Sequence, residues 1–234
     1  MRKSFAALGY TVKLKVMNTA EHSIPQSRNR VYIVAIRSPV QEFKFPKKTN
    51  QKPPLRSFLQ TQTVGDVVLD LTKFEARLSF PVERLWQDHW VLDIGSSERF
   101  SSVPCPKKNG KVAPCLTKSR GAQGGYYVPK LRRYLCSEEV CGLQGWPIEM
   151  TKKMIQTLEE KRPGYDAKKR DHIVAGAAGD GMSVNVVMRV LANALQAAGM
   201  WPTKVRYEDV WKTVAASEAH ELADSLFHSR RPSY

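Results

Sequence analysis

Gln26, Arg28 and Arg30 stand at alternate positions in "IPQSRNRVYIVAIR", Ile24 to Arg37, just ahead of an unbroken apolar run from Val31 to Ile36. In an extended chain successive side chains point to opposite faces, so these three polar groups share one side. Two cationic forks of fixed direction beside an amide are equipment for gripping a polar or anionic group, a task for which Arg serves better than Lys. A second stretch with chemical potential is Gly179-Asp180-Gly181, which precedes a helical pattern. Glycine lets backbone approach a ligand, and the following helix turns its positive end toward it. The third is the basic segment 105–130, where Lys107, Lys108, Lys111, Lys118 and Arg120 are placed to meet phosphates.

Charge supports a phosphate-bearing partner. The 234 residues carry a net charge of +15, unevenly spread. Residues 1–60 hold 12 Lys/Arg against 2 Asp/Glu, residues 61–100 hold 4 against 7, and residues 101–135 hold 8 against none. Two basic blocks flanking an acidic patch suit a surface that meets nucleic acid. No apolar run is long enough to span a bilayer, and the N-terminal "MRKSFAALGYTV" does not read as a signal peptide. Cys105, Cys115, Cys136 and Cys141 lack zinc-knuckle spacing and read as reduced thiols of an intracellular protein, nuclear in a eukaryote and otherwise cytoplasmic. No metal is expected.

The elements that must position these groups read as α/β. "GYTVKLKVMN" alternates as a strand, and "RVYIVAI" reads as a strand buried on both faces. Residues 38–60, with four prolines, form a linker or crossing loop, and 61–130 is loop-rich with short strand-like pieces. Ser137 is a plausible helix cap, Pro147 opens "IEMTKKMIQTLEEK", and "HIVAG" reads as a short strand. Met182, Val186, Val187, Val190, Leu191, Ala194 and Leu195 then keep helical spacing, and "YEDVWKTVAASEAHELADSLF" is a further amphipathic helix.

Three segments in order resemble the C-terminal half of the cytosine-5 DNA methyltransferase family. Pro25, Gln26, Arg28 and Arg30 with "VYIVAI" match its Pro-Gln-x-Arg-x-Arg motif and strand. "RYLCSEEVCGLQGWP", Arg133 to Pro147, keeps its Arg-x-Leu, its Glu at Glu139 and its Leu-Gln-Gly-aromatic-Pro ending. "AAGDGMSVNVVMRVLANAL" is similar to its final motif, with Asp180 where the family has Asn. "PCLTKSRGAQGGYYV" also resembles the end of the family's recognition region, with Thr117, Gly124, Gly125 and Tyr126 in matching places. The likeness covers residues 5 to about 198.

The resemblance implies the closing part of a Rossmann-like, S-adenosylmethionine-dependent sheet with an inserted recognition domain. It divides the chain into 1–39 and 131–199 as catalytic-domain parts, 40–130 as the recognition domain and 200–234 as a C-terminal helix. It implies methyl transfer to carbon 5 of a cytosine swung out of the duplex. Arg30 is then the donor to the cytosine O2, Arg28 supports the flipped nucleotide and its phosphate, and Gln26 braces both. Gly179, Asp180 and Gly181 close over S-adenosylmethionine. Thr117, Lys118, Arg120, Gly124 and Gly125 meet DNA.

The family's Pro-Cys nucleophile is followed by Gln and lies upstream of Gln-x-Arg-x-Arg. Here Pro104-Cys105 and Pro114-Cys115 lie downstream and neither is followed by Gln, so neither is assigned that role. The Gly-rich cofactor motif is missing as well. Two expectations follow: a fragment of a complete enzyme, or one subunit of a split enzyme whose partner carries the nucleophile. Either is inactive alone. A non-catalytic DNA-binding recognition subunit and a tRNA cytosine-5 methyltransferase fragment remain alternatives.

Overall fold

A computed structural model describes residues 2–50, 53–60, 65–72, 81–94 and 112–201. Cys105, Lys107, Lys108, Lys111 and the C-terminal helix expected beyond position 201 lie outside the described residues. The architecture is mixed α/β. After helix α1 (Arg2–Ala7), strands β1 (Tyr10–Asn18) and β2 (Asn29–Arg37) form an antiparallel hairpin, paired Leu14 to Ile33 and Val16 to Val31. Its inner face sets Met17, Tyr32 and Ile36 against Val186, Val190 and Ala197 of helix α7 (Val184–Ala197). Phe43 closes this small core, and the irregular stretch around it is tied to α7 by Val40 N–H donating to Ala197 O and Asn193 Nδ2 donating to Lys44 O.

The continuous apolar run of β2 is not buried on both faces. Val31 and Ile33 face outward and remain about half exposed, because α7 covers only one side of the hairpin. Apolar continuity reports the residues' hydrophobicity and is silent on whether a neighbour is present.

The main core lies elsewhere. Short helix α2 (Arg84–Gln87) and a sheet of β3 (Leu92–Asp93), β4 (Tyr126–Val128) and β5 (Arg133–Tyr134) stand beside helices α3 (Lys118–Ala122), α4 (Ser137–Gly142), α5 (Ile148–Lys161) and α6 (Ala167–Asp180). Leu116, Tyr126, Val128, Val140, Leu143, Val174 and Ala178 are fully enclosed there. "HIVAG" is not a strand but the middle of α6. Asp166 caps that helix, its side chain accepting from Lys169 N–H at 2.7 Å, and small residues on one face let α3 lie against it. Packing of the whole helix overrides the local β preference of Ile173 and Val174.

At α3 and α6 the glycines mark contact. A Cβ on Gly121 would overlap the Ala175 backbone, and one on Gly179 would overlap the Thr117 backbone. Gly179 and Asp180 therefore end α6 and do not form an open loop; only Gly181 to Ser183 links α6 to α7.

Ser137 is not the cap of α4. Cys136 holds that position, and Glu139 reaches back to accept its N–H at 3.0 Å. The same buried carboxylate receives both arms of Arg133, at 2.7 and 2.8 Å, and Gln60 N–H at 2.7 Å. The Arg-x-Leu…Glu pattern is thus a structural clasp that joins β5, α4 and the stretch after residue 53. Gly145, at φ +81°, supplies the left-handed turn of Leu-Gln-Gly-Trp-Pro, and Pro147 starts α5.

Candidate functional site

Gln26, Arg28 and Arg30 enter a junction of three segments. Backbone pairing brings residues 25–27 alongside Ala113, which donates its N–H to Pro25 O and accepts from Ser27 N–H. The segment from Cys115 to Thr117 is held in turn by Tyr126. The tyrosine hydroxyl accepts from Thr117 N–H at 2.6 Å and donates to Cys115 O at 3.3 Å. Burial pushes the Tyr126 phenol up to about 12, which keeps it a neutral donor and acceptor across the working pH range.

Arg28 is the hub. It is 2% exposed, and its guanidinium donates to Leu116 O, to Gly179 O at 3.1 Å and to Gly181 O at 2.6 Å. Its own N–H donates to Asn18 Oδ1. One cation therefore satisfies backbone carbonyls in the Cys115–Thr117 segment and at the α6–α7 link. Carbonyls at a helix C-terminus carry partial negative charge, which favours a cation there. Burial is the main influence lowering its pKa, and the neighbouring Arg30 acts in the same direction.

Arg30 has a different environment. It is partly exposed, donates to Asn29 O at 2.7 Å, and directs its second terminal nitrogen toward Cys115 Sγ at 3.8 Å. The Arg28 guanidinium lies 3.6 Å from the same sulfur. Cys115 thus sits between two cations, a placement that its sequence setting after Pro114 did not reveal. Gln26 is fully buried, and among the described residues neither its Oε1 nor its Nε2 finds a hydrogen-bond partner.

The remaining expected residues fall into two groups. Gly179, Asp180, Gly181, Thr117 and Lys118 belong to this junction, and Asp180 pairs with Lys118 at 3.0 Å on the surface. Arg120, Gly124 and Gly125 sit at the far end of α3. There Arg120 Nε faces Asp93 at 3.4 Å, while Gly124, at φ +62°, turns tightly beside His172.

A cleft of about 920 Å³ opens next to the junction, sharing Ile24 and Pro25 with it. Lys48, Arg56 and Lys130 stand along its walls, with Glu21 holding Lys48 at 2.5 Å. Arg56 and Lys130 are exposed. Sequence order separates these three cations by up to 82 positions, so no local motif announces them. Among the described residues no cluster of His, Cys, Asp and Glu could hold a metal ion, and no helix is long and apolar enough to cross a membrane.

Residues 1–165 match the family model for C-5 cytosine-specific DNA methylase. Among curated proteins, Type II methyltransferase M.NgoBI of Neisseria gonorrhoeae is 29% identical over 147 residues, 60% of this chain and 41% of that protein. Type II methyltransferase M.HaeII of Haemophilus aegyptius is 26% identical over 201 residues, 85% of this chain and 55% of that protein. The chain thus spans about half the length of these relatives. Among solved structures, the S. pombe Dnmt2 methyltransferase is similar in fold, with a TM-score of 0.50 and 16% identity over 83% of this chain and 61% of that one.

Proposed function

The chain belongs to the C-5 cytosine-specific DNA methylase family, and from that premise we propose that it supplies the target-binding wall of cytosine-5 methyl transfer to DNA. The observation that supports this most directly is the division of labour between its two motif arginines. Arg28 is held by backbone carbonyls, while Arg30 keeps a partly exposed guanidinium at the same junction.

In this reading Arg30 donates to the O2 of a cytosine swung into the junction, where negative charge gathers as the ring is attacked at carbon 6. Arg28 holds the Cys115–Thr117 segment and the α6–α7 link in register around that base. Its role is to position, since its donors already have carbonyl acceptors. Arg56 and Lys130 on the cleft walls, with Lys118 on the surface of α3, meet phosphates. Arg120, engaged with Asp93, is a weaker candidate for that contact.

S-adenosylmethionine supplies the methyl group in this chemistry. Gly179 offers it no cradle, because Thr117 fills the space beside its Cα, and the Asp180 carboxylate is exposed and shared with Lys118. The described residues therefore do not by themselves fit the cofactor. In this reading these 234 residues by themselves bind DNA without methylating it, and the nucleophile comes from polypeptide outside them, whether of the same protein or of a partner.

The test is a binding and transfer assay on the full chain. Affinity for duplex DNA, followed by fluorescence anisotropy, should fall steeply with salt, roughly tenfold or more between 50 and 200 mM. Labelled S-adenosylmethionine should give no transfer from the chain alone. With the family's nucleophile-bearing portion joined or added, transfer should appear and Arg30→Ala should abolish it without changing DNA affinity. Absence of DNA binding, or a clear preference for tRNA over duplex DNA, would overturn the reading.

A further inference from the structure

The thiol of Cys115 has no part in the functional reading, yet it stands where an anion would meet it. Its Sγ lies 3.6 Å from Arg28 Nη1 and 3.8 Å from Arg30 Nη2, and the residue is partly exposed. Tyr126 holds this segment in place, donating to Cys115 O and accepting from Thr117 N–H. Among the described residues Cys115, Cys136 and Cys141 are all free thiols, and the other two differ in kind. Cys136 is the cap beside the Glu139 carboxylate, and Cys141 is buried. A partly exposed sulfur flanked by positive charge is the setting in which thiols react.

A second observation points to an occupant. Gln26 bridges to Ala113 in parallel, and alternation from that bridge runs Gln26, Arg28 and Arg30 alongside Ala113 and Cys115 on one face. Gln26 is 0% exposed, and among the described residues its Oε1 and Nε2 have no hydrogen-bond partner. A buried amide left unpaired is costly, so this row offers a donor and an acceptor to a polar group entering beside the thiol. Arg28 is committed to three carbonyls, whereas Arg30 gives one nitrogen to Asn29 O and keeps the rest of its fork for a carboxylate. We propose that Cys115 is a redox-modification site that captures a small anionic disulfide of the glutathione type, Arg30 and Gln26 receiving its carboxylate and amide groups. The Cys115 thiolate attacks one sulfur of the disulfide, and the old S–S bond breaks as the new one forms. The departing thiolate takes up the proton that Cys115 released, and the disulfide is itself the oxidant. The adduct fills the junction in front of Arg30, a consequence that rests on the functional reading above.

The experiment incubates the full chain with glutathione disulfide near neutral pH and follows adducts by intact mass and peptide mapping. A Cys105→Ser background leaves the three described thiols to compete. The expected result is one adduct, at Cys115, removed by dithiothreitol. Arg30→Gln should slow its formation roughly fivefold or more, and Gln26→Leu by a smaller factor, both with an unchanged circular dichroism melt. Cystamine, a cationic disulfide, should react more slowly than glutathione disulfide while Arg30 is in place, and faster once it is Gln. Four results overturn the proposal: no adduct at Cys115, adducts at Cys136 or Cys141 ahead of it, a rate indifferent to either variant, or cystamine reacting as fast as glutathione disulfide with Arg30 in place. A parallel arm adds saturating duplex DNA. Normal DNA binding by a chain that forms no adduct removes the modification site and leaves the functional reading; an Arg30-dependent adduct that forms equally fast with DNA bound does the reverse.

Discussion

The α3–α6 crossing and the β1–β2 hairpin show two ways in which a chain can treat its apolar surface. At the crossing, Gly121 and Gly179 bring backbone against backbone, and Val174 and Ala178 are fully enclosed. On the hairpin, α7 covers the inner face and leaves the outer pairs about half exposed. Arg28 joins the two regions, running from the start of β2 to the carbonyls that end α6. The lesson is that the molecule is tightly packed where the Cys115–Thr117 segment and the end of α6 meet Arg28, and loosely covered on the hairpin face turned away from α7.

Perturbations should follow that contrast. The largest effect is expected from Arg28→Met, which leaves the carbonyls of Leu116, Gly179 and Gly181 buried without their donor. Hydrogen bonds to charged groups are worth about 1.5–3 kcal/mol each, so the loss should be on the order of 4 kcal/mol in urea denaturation. A change below about 1 kcal/mol would show that the hub is dispensable. Gly179→Val comes next, at about 3 kcal/mol, because the new side chain meets the Thr117 backbone, which cannot move without shifting α3. The variant should also loosen the Lys118–Asp180 region in amide exchange.

A smaller effect is expected from pH. Burial, reinforced by the charge on Glu139, pushes the Cys136 thiol up to about 12, and burial pushes Cys141 up to about 11. The neutral thiols are favoured by folding, so their stability contribution is full below the ordinary value of 9.0 and falls as pH rises above it. The loss should reach about 1 kcal/mol per thiol near pH 10, and iodoacetamide at pH 8 should label neither in the folded chain. Rapid labelling of both would mean that α4 opens readily. The smallest effect belongs to Val16→Thr on the hairpin's outer face, within about 0.5 kcal/mol, with reduced binding of a hydrophobic dye. A cost above about 2 kcal/mol would show the outer face to be covered already, since only a buried methyl is that expensive to replace by hydroxyl.

How much of this was legible in the sequence depended on range. The two strands β1 and β2, α5 and α7 could be read because their apolar spacing lies within one element, and the family likeness could be read because its motifs are contiguous; the pairing of the strands as a hairpin came only with the structure. "HIVAG" misled because a five-residue window holds β-branched residues whose fate was decided by Asp166 at one end and the small-residue contact with α3 on the other. Ser137 misled because cap preference names residue types, while the carboxylate of Glu139 selects Cys136 by geometry. Neither Cys115 between two guanidiniums nor the alignment of Lys48, Arg56 and Lys130 had a local signal, since each depends on segments far apart in the chain.

By itself, the sequence determined the family, the alternation that places Gln26, Arg28 and Arg30 on one side, and the basic character of the surface. These are properties of residue type and short spacing. Only the tertiary structure decided that Arg28 is held by backbone carbonyls while Arg30 remains partly open, and that the space beside the Gly179 Cα is taken by the Thr117 backbone. The reason is physical: a guanidinium is satisfied by whichever acceptors the fold brings within reach, and carbonyls at Leu116, Gly179 and Gly181 converge on Arg28 only after the chain has folded.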